Sequence, residues 1–285
     1  MIIPTADLSP YGTHSAGPVV RKVLAVTRGL PATWLGLRLS QPLRRLAING
    51  LRGRPVDTEV WNCRARLYPS HNGCEKNALF QPQLFDKMEL DALAEAVDAR
   101  VAQGGTFTFV DIGANVGLYS LFVASRAKGQ ARIVAIEPQP GIVERLRFNM
   151  AENATFDVTV APVAVADRET EMELVINQRD SGGSRLNRGA DHSDGTVTIQ
   201  CRPLTAILDE AGMSQIDAMK LDIEGAEDLA LVPFFRATSS ERWPRLIVME
   251  DQPANWSVDL HALLQECGYA VTKRARINTV WRLGR

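Results

Sequence analysis

The 285 residues carry a formal charge of −1, with 45% hydrophobic and 23% charged positions. That balance fits a globular chain; no run approaches the roughly 18 apolar residues of a membrane-spanning helix, and no low-complexity tract is visible. The first ten residues hold Asp7 and two prolines without a basic start, which argues against a secretory leader. Cys63, Cys74, Cys201 and Cys267 lie far apart with no C-x-x-C pair, so they read as reduced thiols of a cytoplasmic protein rather than as a zinc site or disulfide framework. Charge is unevenly placed. Residues 1–80 hold eleven Lys/Arg against four Asp/Glu, a net of +7, and the remainder carries −8. A basic leader on an acidic core suits an anionic substrate, an acidic membrane surface touched peripherally, or the core itself.

In chain order, 18–48 alternates apolar and basic residues and predicts short amphipathic helices interrupted by Pro31 and Pro42. The alternation over 59–68 predicts a strand, followed by a polar turn at 70–75. Met88, Leu90, Leu93, Ala94 and Val97 recur at helical spacing over 86–101. From Phe107 onward apolar strands alternate with helices, the pattern of a doubly wound α/β fold with a largely parallel sheet. Strands are expected at 107–111, 132–137, 158–163, 218–222 and 245–250, and helices at 118–127, 141–152, 204–211, 226–235 and 258–267. Two edge strands, 269–273 and 277–283, close the chain. An inserted hairpin, 171–176 with 196–202, brackets a long polar loop, and a loop of that length inside a domain is functional or disordered.

The run Phe109-Val-Asp-Ile-Gly-Ala-Asn-Val-Gly117 is a buried strand entering a glycine turn and then a helix. Twenty residues later Glu137 ends the next strand, where its two oxygens suit both hydroxyls of a ribose. A dinucleotide fold wants G-x-G-x-x-G to seat a pyrophosphate, whereas here Asn115 stands where the second glycine would be. S-adenosylmethionine (SAM) has no pyrophosphate; it asks for backbone amides around its carboxylate and an acid such as Asp111 near its ammonium. The expected cofactor pocket is therefore Asp111, Gly113, Ala114, Asn115, Gly117, Glu137 and the adjoining Pro138.

Val110-Asp-Ile-Gly-Ala-Asn-Val-Gly-Leu-Tyr-Ser120, Val134-Ala-Ile-Glu-Pro138 and Met219-Lys-Leu-Asp-Ile-Glu-Gly-Ala-Glu227 resemble the FkbM-type methyltransferases, from about residue 105 to the end. The resemblance implies a class I, Rossmann-like methyltransferase fold with a mostly parallel seven-stranded sheet. It also implies, usually, methyl transfer to a hydroxyl of a sugar or other natural product. On this division 1–104 is a basic extension, helical with a short strand region, and 105–285 is the SAM-binding domain.

The residues agree. In an extended segment Lys220, Asp222 and Glu224 share one face at the carboxyl end of the fourth core strand, where open α/β sheets bind ligands. An alcohol must lose its proton as it attacks, so Asp222 and Glu224 are the candidate general bases. Two close acids also fit a divalent cation; spacing leaves that open and assigns no metal ligand. Glu227 is read as an acid favouring the next helix N-terminus. Glu250, ending the fifth strand, is read equally as pocket lining or strand terminator.

His261 reads as a surface or packing residue, while His71 and His192 sit in polar segments. Arg179, Arg185 and Arg188, with neighbouring glycines, would suit a lid over an anionic small-molecule or glycan acceptor, or simply a solvated loop. Nucleic acid is disfavoured as substrate. The position after the fourth strand lacks the Asn/Asp-Pro-Pro-aromatic cluster of base methylation, and Cys201 is not preceded by proline. RNA ribose methylation and a SAM-binding scaffold without catalysis remain as alternatives.

Overall fold

The computed structural model describes residues 6–177, 184–186 and 195–284. Helices α1 (Pro18–Gly29) and α2 (Trp34–Leu51) lead into a hairpin, β1 (Val56–Val60) and β2 (Cys63–Leu67), then α3 (Gly73–Phe80) and α4 (Lys87–Ala102). The alternating core follows as β3 (Phe107–Ile112), α5 (Leu118–Arg126), β4 (Ala131–Ile136), α6 (Pro140–Ala151) and β5 (Asp157–Ala161). Next come β6 (Ala164–Val165), β7 (Thr170–Val175), β8 (Arg185–Leu186), β9 (Thr196–Arg202) and α7 (Leu204–Glu210). The chain closes with β10 (Ala218–Leu221), α8 (Glu227–Ala237), β11 (Leu246–Glu250), α9 (Leu260–Glu266), β12 (Tyr269–Ala275) and β13 (Asn278–Leu283).

Seven strands form one sheet in the order β12-β13-β11-β10-β3-β4-β5. The five from β5 to β11 run parallel, and β13 alone pairs antiparallel with both its neighbours. This is the doubly wound, mostly parallel sheet expected. The central strands are buried on both faces, β10 and β11 along their whole length, so they read as apolar runs rather than alternations. Of the two C-terminal strands only β12 is an edge; β13 is inserted between it and β11, and its Val280 and Trp281 are buried accordingly. The order reverses between β3 and β10, which puts a crevice at the carboxyl ends of those strands. The inserted hairpin β7–β9 is antiparallel as read, and β6 and β8 widen it to a separate four-stranded sheet.

The N-terminal region departs from its sequence pattern in three places. Helix α2 continues through Pro42, because the proline lies on the exposed side, where water takes the carbonyl that its missing N–H leaves free. The segment read as one strand is a hairpin turning at Trp61 (φ 48°) and Asn62 (φ 62°), both left-handed as a tight I′-like turn requires. Its indole is held by Phe85 (5.7 Å) and Phe122 (5.5 Å). The polar turn at 70–75 is the start of α3, whose N–H of Glu75 is capped by Asn72 Oδ1 at 3.2 Å.

This region is not a loose appendage. Val23, Leu24, Leu79 and Leu93 belong to one buried apolar cluster with Phe107, Leu121 and Ile133 of the core. Arg66, buried, forks onto Asp57 (2.6 and 2.9 Å) and caps the carbonyls of Asp7, Ser9 and Pro10. Its backbone N–H donates to Asn149 Oδ1 of α6 (2.8 Å). Beside it the buried Glu75 and Arg145 form an ion pair, with the guanidinium 4.0 Å from the Tyr68 ring centroid. Removing one partner strands the other charge in the interior. Glu75→Ala is therefore expected to cost about 3–5 kcal/mol in urea unfolding, where an exposed pair would cost under about 1 kcal/mol. A loss below 1 kcal/mol would mean that water reaches the pair.

Candidate active site

The turn after β3 is held by contacts that leave few side-chain choices. Gly113 has φ 73°, and a Cβ there would lie 1.9 Å from the carbonyl oxygen of Asp222, so only glycine fits. Gly117 (φ 86°) opens α5, and a Cβ there would press on Leu146 and Met150 of α6. Asn115 also sits at positive φ; its Oδ1 accepts from Val116 N (2.9 Å) and from Asn72 Nδ2 (2.9 Å). The turn's amides are already engaged. Gly113 N and Ala114 N donate to Ile136 O, Asn115 N to Glu137 Oε2, and Gly117 N to Ala114 O. These bonds tie the turn to Ile136 and Glu137 and close it on itself.

Glu137 lies just past β4 at the pocket wall and is 8% exposed. Its Oε1 accepts from Gln139 N and its Oε2 from Asn115 N, each at 3.0 Å, so each oxygen keeps one lone pair for a ligand. Burial pushes its pKa up to about 7, while those two backbone donors and Lys220 pull it down. The pocket also takes in Gly113, Asn115, Pro138 and Asp222, and has an apolar side formed by Ile142, Val163, Leu174 and Leu186. Leu174 and Leu186 come from the inserted sheet, whose Ser184 Oγ donates to Gln139 Oε1 at 3.1 Å. Asp111, Ala114 and Gly117 stand behind this wall rather than on it.

Asp111 is fully buried. Its Oδ2 accepts from Ser120 Oγ (2.7 Å), and its Oδ1 has no hydrogen-bond partner among the described residues. Burial raises its pKa, against the pull of Lys220 and Ser120. Lys220 donates to Gly113 O (2.7 Å) and stands 3.8 Å from Asp111 Oδ1 and 3.4 Å from Asp222 Oδ2. Burial alone would lower its pKa, but Asp222 and Asp111 raise it, so it stays an ammonium at neutral pH.

The acidic edge is built differently from its sequence reading. Extended backbone ends at Leu221, and Asp222 to Gly225 form a turn with Glu224 (φ 55°) and Gly225 (φ 91°) left-handed. This turn still gathers the acids: one carboxylate oxygen each from Asp222, Glu224 and Glu250 lie within 4.8 Å of one another. Glu227, the first residue of α8, does more than favour a helix end. It is buried, and its Oε1 accepts from Ile223 N and Gly225 N (both 3.3 Å) while Oε2 accepts from Trp256 Nε1 (2.8 Å). Glu250 is 9% exposed; burial, then Asp222 and Glu224, push its pKa up to about 7, against a hydrogen bond from Gln252.

Some neighbours carried no motif. Asp86 precedes α4 in a left-handed conformation, accepts from Tyr119 Oη (3.0 Å), and is pushed up to about 6 by burial and then by Glu89. The Tyr119 ring lies 5.2 Å from Lys220 Nζ. Asn72 and Asp86 belong to loops whose only sequence signal was polarity before a helix. His261 packs between Trp256 and Trp281 and pairs with Asp251 at 2.5 Å, a packing histidine as read. His71 lies in the turn before Asn72, and its Nε2 is 3.5 Å from where a Cβ on Gly53 would stand. Arg179, Arg188, His192 and the Arg185 side chain lie outside the described residues.

A family described as Methyltransferase FkbM domain matches residues 111–271. The chain is 28% identical to Methyltransferase sdnD of Sordaria araneosa over 196 residues, covering 58% of this chain and 74% of that protein. It is 29% identical to AMB antimetabolite synthetase AmbE of Pseudomonas aeruginosa over 153 residues, 41% of this chain but only 7% of that protein. Among solved structures it is similar to a putative O-methyltransferase from Klebsiella pneumoniae, at 11% identity and TM-score 0.42, covering 94% of this chain and 91% of that one.

Proposed function

The chain belongs to the FkbM methyltransferase family, and we propose that this SAM-dependent methyltransferase acts on a hydroxyl of a sugar, glycan or natural-product small molecule. The observation that carries the reading is Asp222. Its carboxylate is 45% exposed, stands on the same pocket as Glu137, and is held by a turn that Glu227 latches from beneath.

Residues present fit the cofactor. Asp111 Oδ1 is a buried carboxylate oxygen with no hydrogen-bond partner among the described residues, 3.8 Å from Lys220 Nζ; standing behind the pocket wall, it would reach the ammonium of SAM through water. Glu137 would hold the ribose hydroxyls with its two remaining lone pairs, between Asn115 and Pro138. The apolar side from Ile142 to Leu186 suits adenine. Bound SAM supplies a methyl group on a sulfonium, open to in-line attack by oxygen.

The chain's part is then positioning and proton removal. Asp222 or Glu224 takes the hydroxyl proton, with the Lys220 ammonium 3.4 Å from Asp222 Oδ2. Asp222 is better placed than Glu224 because it lines the pocket itself.

Labelled SAM with fractionated small metabolites tests the reaction class; label must appear as an O-methyl ether, and label confined to RNA or to amines overturns the proposal. Glu137→Ala should weaken SAM binding by about 2–3 kcal/mol in calorimetry, the scale for hydrogen bonds to a charged group. Unchanged affinity in the folded variant removes its role. Asp222→Asn and Glu224→Gln should leave SAM affinity broadly intact while turnover falls by about 10²–10⁴ for the residue that takes the proton. Near-normal turnover in both would place proton removal elsewhere.

A further inference from the structure

We infer that Asp222, Glu224 and Glu250 form a binding site for one hard divalent cation beside the methyl-transfer pocket. The acids converge from two separate elements, the turn after β10 and the end of β11. The second observation is Glu250 itself. It is 9% exposed, and its Oε2 is buried with no hydrogen-bond partner among the described residues, facing a cluster of like charge. An unsatisfied buried carboxylate oxygen is costly, and the hydrogen bond that Glu250 accepts from Gln252 leaves its Oε2 without one. Lys220 stands 3.4 Å from Asp222 and 3.8 Å from Asp111.

The separation decides which ions fit. Ligands on opposite sides of an ion lie two bond lengths apart, about 4.6–5.2 Å for Ca²⁺ and about 4.0–4.2 Å for Mg²⁺. Oxygens within 4.8 Å of one another accept an ion of Ca²⁺ size as they stand, and Mg²⁺ or Mn²⁺ after a small inward movement of the exposed Asp222. Three carboxylates leave other coordination positions for water or an acceptor oxygen. An ion there would orient a hydroxyl next to Asp222; that use rests on the proposed reaction, whereas binding does not.

Manganese titration followed by the free-ion EPR signal is the direct test. At pH 8 the chain should take up about one Mn²⁺, and Glu250→Gln should weaken uptake at least about tenfold, with SAM affinity and thermal unfolding little changed. Glu224→Gln serves the same purpose should the buried variant fail to fold. No uptake at about 1 mM Mn²⁺, or equal uptake by both variants, overturns the site. If uptake is absent and hydroxyl methylation survives EDTA, the site falls and the methyltransferase reading stands. If uptake occurs and no hydroxyl acceptor is ever methylated, the site stands and the hydroxyl reading falls.

A different observation carries a second proposal: the α1–α2 face docks on an anionic lipid surface. Between Asp7 and Asp57 there are eight Lys/Arg and no acid. Along α2, Leu35, Leu39 and Leu46 project from one exposed face with Pro42, and Trp34, 71% exposed, begins it; α1 adds Val19 and Val26. Exposed Lys22, Arg38 and Arg45 flank them. Apolar residues interleaved with cations match a headgroup layer over acyl chains, while a second copy would bring two strongly cationic faces together. The chain should co-sediment with phosphatidylglycerol-containing vesicles at low salt and far less with phosphatidylcholine alone. Leu35→Asp with Leu39→Asp should abolish that binding. Equal binding to both vesicle types, none to either, or a dimer in sedimentation that the double variant breaks would each overturn lipid docking.

Discussion

The pocket exists because two backbone segments touch. Gly113 lies so close to the carbonyl of Asp222 that a single methyl group would occupy the same space. The amide of Asp222 in turn donates to Ile112 O at 3.1 Å. This contact sits where the strand order reverses, so it fixes the depth of the crevice between β3 and β10 and the aim of the acids above it. Everything nearby holds it in place: Glu227 and Trp256 brace one loop, while Ile136 O and Glu137 brace the other.

Charge follows from that geometry. Lys220 emerges between the two loops and is the cation that Asp111, Asp222 and the Gly113 carbonyl share. One buried ammonium is too few for Asp111, Glu137, Asp222 and Glu250 together, and the buried acids farther from it carry raised pKa values, about 7 for Glu137 and Glu250. A site with surplus carboxylate is suited to a cationic cofactor, a departing proton or a metal ion, and less suited to an anion.

The core was legible in the sequence because parallel strands buried on both faces leave apolar runs, and glycine turns leave motifs. Glu137, Asp222 and the order of helices and strands could be placed from Phe107 onward for that reason. Legibility failed where long-range contacts overrule local pattern. Pro42 does not stop α2 because its exposed side is tolerant; Trp61 and Asn62 turn without a glycine because Phe85 and Phe122 hold the indole. Asn72 and Asp86 join the site only through tertiary packing, which no spacing encodes. Glu224 met its partners through a left-handed turn, although strand alternation had put it on the same face for another reason.

The docking of the first hairpin on α6 also orders events in time. Arg66 and Arg64 bind Asn149 and Asn153, 83 and 89 positions further along the chain. On a ribosome adding about 5–20 residues per second, the basic leader and its apolar helices wait roughly 4–18 s for their seat to be made. During that interval Val23, Leu24 and the hairpin have no core to enter. A nascent chain of this protein therefore presents the apolar, cationic α1–α2 segment before it presents a foldable sheet. That interval leaves apolar and cationic side chains of the early chain open to solvent until α6 has been made.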